Sequence, residues 1–356
     1  MYDVIIVGAG IAGSVLADRL GDLNVLVIEK NRNTKVDSGI VAAKHIGRTI
    51  PKGLVDDKID KMSLVSPGGR IIDIHTQKPF AFLVNRGKLE SYFRKLVKKN
   101  IVYDCVKEII WEDGFVQVVG ENDRYYGKIV VGCDGACSSI RKAMQPGEKR
   151  AMIYGVIGHH RIEQENIHIY FNKLFSKDFF SWTIPQNNEF GLMTAADPLG
   201  YCNSFKRKMG YDSDVFITPM TIGMRKSYGD MALLVGESAG QVKPITGGGI
   251  DMAISCSVHA AGVIKKAVRS NNTGGDFLQS YEMLWKGEFG KEIEKQMWLR
   301  KIYSKLNNQQ IDELFNIAKT VKIGEIDDYI GLSGLMKHVP RIRLFFWALR
   351  NVGVFR

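Results

Sequence analysis

The chain lacks any run of about eighteen consecutive apolar residues, so no segment reads as a membrane-spanning helix. No basic stretch precedes its apolar start, Met1-Tyr-Asp-Val-Ile-Ile-Val-Gly8, which passes straight into a strand pattern. A secretory signal is therefore not expected, and the expected compartment is the cytoplasm. The cysteines, Cys105, Cys133, Cys137, Cys202 and Cys256, number five, an odd count without a CxxC pair. That spacing excludes the usual zinc and dithiol motifs, so reduced thiols and no metal site are expected. There is no internal repeat, low-complexity tract or Pro/Gly/Ser linker, which excludes repeat arrays and suggests that any domains are interleaved rather than strung in series. Acidic residues are outnumbered, 38 against 49 basic, for a formal charge of +11. A basic surface suits nucleic acid, an anionic membrane or an anionic substrate, and net charge alone does not choose among them. The 356 residues are enough to bury a sizeable core.

What is present begins with a βαβ unit. Residues 3–8 read as a buried parallel strand, 11–21 as a helix of small and apolar residues, and 24–29 as a second buried strand. The turn between the first strand and the helix is Gly8-Ala-Gly-Ile-Ala-Gly13, and the acidic Glu29 ends the second strand. In that context GxGxxG predicts a dinucleotide site. Gly8 permits the tight turn, Gly10 lets the backbone approach a pyrophosphate, and Gly13 lets the helix pack on the sheet, while Glu29 accepts ribose hydroxyls. Further on, the pattern breaks at several glycines and predicts a hairpin over 64–74 around Pro67-Gly68-Gly69. A helix is expected after Arg86, then short strands over 101–105, 114–119 and 125–131. Strand-like runs over 167–171, 179–184 and 189–194 alternate with turns and suggest an antiparallel second layer. A buried strand follows over 231–236, then a helix over 249–268, and the chain from Thr273 onward reads as helical and basic.

Two further segments narrow the cofactor. Gly132-Cys-Asp-Gly-Ala-Cys-Ser-Ser-Ile-Arg141 and Gly236-Glu-Ser-Ala-Gly240 resemble the second and third signatures of the para-hydroxybenzoate-hydroxylase-like flavoproteins, over residues 1 to about 265. The resemblance implies FAD, with Asp134 near the pyrophosphate and Glu237, where the family has Asp, holding the ribityl chain. It also implies Arg86 beside the phosphates, where a guanidinium offers fixed charge and a fork of donors. Ala12, Lys30, Ser38, Gly39 and Val106 complete the cofactor-binding residues it implies.

Val242-Lys-Pro-Ile-Thr-Gly-Gly-Gly-Ile250 is similar to the Pro-x-Thr-Gly-Gly-Gly-Ile loop of the geranylgeranyl reductase family, of which the archaeal digeranylgeranylglycerophospholipid reductases are members. Gly247, Gly248, Gly249 and Ile250 then lie beside the flavin ring, where bare N–H groups suit the negative charge of the reduced cofactor. Phe180-Ser-Trp-Thr-Ile-Pro185 resembles the same family's Tyr-x-Trp-x-Phe-Pro signature, with Phe for Tyr at 180 and Ile for Phe at 184. Phe180, Trp182 and Pro185 become the expected substrate contacts, since a hydrocarbon chain is held by burial alone. Asp37 stands where archaeal members often have cysteine. The resemblance implies saturation of C=C bonds in geranylgeranyl or polyprenyl lipid chains by hydride transfer from reduced FAD. No general acid stands out; His45, His159 and His160 are candidates by residue type only. Without a second GxGxxG, the electron donor is left as NAD(P)H or reduced ferredoxin.

The expected fold is α/β: a Rossmann-type FAD-binding domain interleaved with an antiparallel-sheet substrate domain, plus a helical C-terminal region. The divisions are 1–45, 76–148 and 223–270 for the first, 46–75 and 149–222 for the second, and 271–356 for the third. Arg341, Arg343, Arg350 and Arg356 surround Leu344, Phe345, Phe346, Trp347 and Leu349, a pattern that suits either a peripheral membrane surface or a terminal helix docked on the body. Two other readings stay open: a flavin monooxygenase of an apolar substrate, and an FAD-containing RNA-binding protein. The dispersed basic residues and absence of an RNA-binding motif argue against nucleic acid.

Overall fold

The computed structural model describes residues 1–35, 37–97, 100–148 and 152–318. At its centre the strand Tyr2–Val7 lies between Val25–Glu29 and Arg124–Gly132, parallel to both. Ile101–Tyr103 and Ala232–Leu234 extend the parallel set on either side. Val4, Ile5 and Ile6 are 0 % exposed. Such a strand must be apolar throughout because alternate side chains enter cores on opposite faces, each buried aliphatic contributing ~1.5–3 kcal/mol. On one face Val4 and Ile6 meet the helices Ile11–Arg19 and Ile250–Arg269. On the other, Ile5 and Val7 meet Val116 and Val118 of the hairpin Glu108–Glu112/Phe115–Val119, and Ile140 of the helix Ser139–Met144.

The second layer is a seven-stranded sheet. Its order is Val215–Thr221, Met152–His159, Glu189–Thr194, Ser181–Ile184, Ile167–Tyr170, Lys61–Val65, Ile71–His75. The last two strands form the hairpin expected around Pro67-Gly68-Gly69, and Lys61–Val65 joins Ile167–Tyr170 in parallel. A small third sheet pairs Ala81–Asn85 with Ser38–Val41 and Val55–Ile59. The segment before the hairpin thus divides, Val55–Ile59 entering the small sheet and Lys61–Val65 the large one.

The strand Glu108–Glu112 and the helix Pro198–Met209 are elements that the sequence pattern did not give. Asp197 adopts a left-handed φ of 46°, its carboxylate accepts the Gly200 N–H at 3.0 Å, and Pro198 starts the helix with its φ already set. Only Cys202 and Phe205 are buried on its inner face, against Val156, Phe190 and Leu192 of the large sheet. Two apolar positions gave too faint a helical period to read.

The helix Gly275–Lys305 ties the layers together. Tyr281, Trp285, Phe289 and Ile293, one per turn, are buried against the first layer. Its far end and the helix Asn308–Ala318 cover Leu64 and Ile74 of the large sheet with Leu306, Ile311 and Phe315. Among the described residues no helix is long and apolar enough to cross a membrane. The basic, aromatic segment from Arg341 to Arg356 lies outside the described residues.

Candidate active site

A cleft of about 1060 Å³ runs from the first glycine loop to the face of the large sheet. Its first end is built by three glycines with different duties. A Cβ at Gly8, where φ is +102°, would lie 2.5 Å from the Cys133 carbonyl oxygen, and one at Gly13 would lie 1.9 Å from the Gly8 carbonyl oxygen. At Gly10 a Cβ would meet nothing within 4 Å. Gly8 and Gly13 therefore serve close packing, while Gly10 faces the open cleft. Glu29, 7 % exposed, fixes the loop from behind. One carboxylate oxygen accepts the Ala9 N–H at 2.7 Å and the other the Asn31 N–H at 2.8 Å. Arg94 completes the brace: Nε donates to the Ala9 carbonyl at 2.9 Å and Nη1 to Asn31 and Arg32 carbonyls at 3.0 and 3.2 Å, with Nη2 3.6 Å from Glu29.

In the middle of the cleft two turns face each other. The fully buried Arg141 joins them, donating to the Ala136 carbonyl on one and to the Ser238 carbonyl, at 2.8 Å, on the other. Asp134 uses one oxygen to accept the Ser139 N–H at 2.6 Å, and its Oδ1 is buried without a hydrogen-bond partner. Glu237 accepts the Thr221 N–H at 3.1 Å. Burial pushes its carboxyl up from the ordinary range, against the opposing pull of Lys35, the Thr221 N–H, Arg86 and Arg141. Burial likewise raises Asp134. Arg86 Nη1 donates to Asp37 at 2.9 Å and its Nε lies 3.4 Å from Glu90. Burial disfavours its charge, but Asp37 and Glu90 outweigh that and hold it protonated. Lys35 shares this cluster, its ammonium pushed down by burial and by Arg86.

The far end is apolar. Phe180, Trp182 and Ile184 line it with Ile167, Ile169, Met193, Phe80 and Met62. Phe180, just before the strand Ser181–Ile184, and Trp182 within it meet edge to face with centroids 6.3 Å apart. The Trp182 indole N–H donates to Glu189 at 3.1 Å, which sets the plane of the ring. The loop Thr246–Gly249 closes the space between the two ends. Gly247 has φ +69°, and a Cβ there would lie 2.5 Å from Met193 Sδ on the large sheet.

Of the residues singled out in the sequence, Gly8, Gly10, Ala12, Glu29, Lys30, Gly39, Arg86, Val106, Asp134, Gly236, Glu237, Gly247, Gly248, Gly249, Ile250, Phe180 and Trp182 line this one cleft. Gly13 packs behind the loop, the backbone of Ser38 pairs with Asn85 in the small sheet, and Pro185 begins the turn Pro185–Asn187 beyond the lining. Among the described residues no histidine lines the cleft. His45 is buried 3.6 Å from Asp251, and burial lowers its pKa against the pull of that carboxylate. His159 is exposed at a strand end, and His160 lies 3.5 Å from Asp212. Sequence reasoning missed Lys35, Arg94, Glu189, Lys243 and Asp251, all in the lining. For Arg94 a signal existed: Arg86, Glu90 and Arg94 recur every fourth residue, and on a helix that stacks them along one flank.

The residues suit a dinucleotide carrying a second, flat aromatic group. Gly10 leaves a space that a Cβ would invade, Asp134 Oδ1 is buried without a hydrogen-bond partner, and the cleft continues to a sheet face able to cover an apolar ligand.

No family model matches the chain. A digeranylgeranylglycerophospholipid reductase of Methanothermobacter thermautotrophicus is 26% identical over 378 residues, covering 95% of this chain and 97% of the relative. One of Methanococcus aeolicus is 24% identical, with 97% of each covered. Among solved structures, a geranylgeranyl bacteriochlorophyll reductase-like protein of Thermoplasma acidophilum matches with a TM-score of 0.85 at 18% identity, covering 99% of each chain. A halogenase variant in complex with FAD matches with a TM-score of 0.67 at 13% identity, over 89% of this chain and 79% of that one. Over nearly its whole length, then, the chain is a homologue of proteins named digeranylgeranylglycerophospholipid reductase, and it has the fold of the FAD monooxygenase-like flavoproteins.

Proposed function

We propose that this protein is an FAD-dependent oxidoreductase that saturates C=C bonds in the geranylgeranyl or related polyprenyl chains of membrane lipids. The observation that carries the reading is a single cleft that joins the Gly10, Asp134, Arg86 and Glu237 surface to the aromatic face of Phe180 and Trp182. FAD, when bound and reduced, supplies the hydride. The protein's own part is to hold and to exclude. The helix N-terminus at Gly10 and the Arg86 guanidinium receive the phosphates, and Glu29 and Glu237 accept ribose and ribityl hydroxyls. The loop Thr246–Gly249 seats the ring against the large sheet, and Phe180, Trp182 and Ile184 bury the hydrocarbon and keep water from the reacting bond. The parallel-sheet segments 1–45, 76–148 and 223–270 form the cofactor domain in this reading, and 46–75 with 149–222 the substrate layer. Reducing equivalents come from NAD(P)H or from a reduced ferredoxin. The substrate is a bilayer lipid, so the protein works in the cytoplasm, at the membrane face.

The alternative reading is a flavin monooxygenase, favoured by the likeness of the fold to a probable FAD-dependent monooxygenase of Pseudomonas aeruginosa, at a TM-score of 0.67. Anaerobic mixing separates the two. Chemically reduced, flavin-loaded protein given a geranylgeranyl glycerophospholipid should reoxidise as the lipid gains two hydrogens per double bond, read by absorbance and by lipid mass. Reoxidation only on admitting oxygen, with an oxygen atom added to the substrate, would establish the alternative.

A further inference from the structure

The apolar floor of the cleft does not end inside it. The pairing register sets Ile169, Trp182, Gly191, Ile157 and Phe216 side by side in one row across the large sheet. Directly opposed residues of antiparallel strands share a face, so the whole row presents itself on the cleft side. Ile169, Trp182 and Ile157 line the cleft. At Gly191 a Cβ would lie 2.5 Å from Trp182 Cζ2, so the indole covers that position and leaves no gap in the row. Phe216 ends the row on Val215–Thr221, which is the edge strand, and it is 61% exposed. Thr218, two residues along the same strand, is exposed as well, pairs with Gly155 and lines the cleft with it. The cleft therefore opens at this edge, and its apolar row continues through Phe216 onto the surface.

An open edge strand ordinarily invites another strand to pair with it. Val215–Thr221 carries Pro219, which has no N–H to offer a ladder, and an edge proline blunts strand addition. Ile217, on the opposite face of the same strand, is 40% exposed, so apolar surface wraps around the edge. A fluid apolar phase makes no demand on backbone pairing and covers such an edge better than a second chain does. The charges that precede the strand are mixed, exposed Arg207 and Lys208 against exposed Asp212 and Asp214. Burial of side chains, rather than attraction to anionic head groups, is then what holds the contact. A hydrocarbon chain passing from a bilayer into the cleft would bare its carbons to water unless an apolar surface joined the two, and the Phe216 row is such a surface.

We propose that the Phe216 edge of the large sheet is the surface that rests on the bilayer, and the mouth through which a lipid's chain enters the cleft. The inference rests on the polyprenyl-lipid reading of the cleft and names the face and the route that reading leaves open. Phe216 enters the bilayer surface, Ile157 and Trp182 carry the chain inward, and the polar head of the lipid stays at the rim.

The test is co-sedimentation of flavin-loaded protein with phosphatidylcholine vesicles, beside FAD affinity and sedimentation of the protein alone. F216D should bind the vesicles about tenfold more weakly than wild type, the effect of one phenyl group no longer buried. Its FAD affinity should stay within about twofold. F216W should bind vesicles at least as well as wild type. Should F216D fail to fold, F216S is read by the same criterion. F216D that binds as wild type does overturns the inference, and so does wild-type protein that stays in the supernatant. A wild-type dimer that F216D splits, with vesicle binding unchanged, also overturns it and gives the edge to a second copy of the chain. Vesicle binding that depends on Phe216, without saturation of a geranylgeranyl lipid carried in the vesicles, would sink the proposed reaction and leave the docking surface standing.

Discussion

Replacing Gly10 and Gly13 separately by alanine divides binding from packing within one loop. At Gly13 the new Cβ would stand 1.9 Å from the Gly8 carbonyl oxygen, well over 1 Å inside contact distance. Gly8 cannot retreat, since its N–H is bonded to the Ile28 carbonyl at 2.7 Å and the Cys133 carbonyl closes its other side. The helix Ile11–Arg19 must therefore move off the sheet. Overpacking of this kind costs about 1–3 kcal/mol, and the same shift displaces the helix N-terminus from the phosphates. At Gly10 the Cβ meets nothing within 4 Å, so the flavin-free protein should keep its stability to within ~0.5 kcal/mol. The methyl group instead occupies the surface the pyrophosphate approaches, and FAD affinity should fall at least tenfold, ~1.4 kcal/mol. Urea unfolding of the flavin-free proteins and fluorescence titration with FAD read the two effects independently. Gly10→Ala protein that binds FAD as wild type does would refute the placement of the pyrophosphate at this loop.

Three further outcomes follow from particular contacts. The folded Glu237 carboxyl titrates above its ordinary value of 4.5, so the native state binds the extra proton and stability should decline as pH rises from about 4.5 toward the folded pKa. Glu237→Gln should flatten that decline, by at most ~1.4 kcal/mol per pH unit, in urea titrations of flavin-free protein between pH 5 and 8; an identical profile would mean that the carboxyl is not held in its acid form. Arg94→Met leaves Glu29 without its cation and frees the Ala9, Asn31 and Arg32 carbonyls; unfolding free energy should drop by about 3 kcal/mol, and Arg94→Lys should rescue little, since one ammonium cannot span those acceptors. Trp182→Ala should lower lipid turnover at least tenfold while FAD affinity stays within about twofold; equal losses in both would place the indole against the cofactor instead.

The helix Pro198–Met209 and the residue Arg94 show where reading the chain stops. A helix with two buried apolar positions leaves hardly any period, because its place is set by the sheet it covers and by the cap at Asp197. Arg94 looks like one more surface charge on an amphipathic helix until the fold brings the Ala9, Asn31 and Arg32 carbonyls to it. By contrast, the strand Tyr2–Val7, the glycine turn and the strand Val25–Glu29 were legible, because a buried parallel strand demands an unbroken apolar run and a tight turn demands glycine. Asp37 was legible only as a departure from a pattern; its salt bridge to Arg86 needs the strand Ser38–Val41 to lie against the start of the helix Arg86–Leu96.

What the sequence alone determined was local and periodic: the βαβ unit, the glycine loops, the acidic residues that follow them and the aromatic strand, each recognisable because its backbone geometry restricts residue choice over a few positions. Tertiary structure decided what no local rule constrains. It placed Phe180 and Trp182 across the cleft from Gly10 and tied the Asp134 and Glu237 turns together through a fully buried Arg141. It also set Lys243 against an aspartate anchored by the Ala42 N–H, 209 residues away in the chain. Contacts between distant segments depend on how whole layers pack, and that depends on every buried side chain at once.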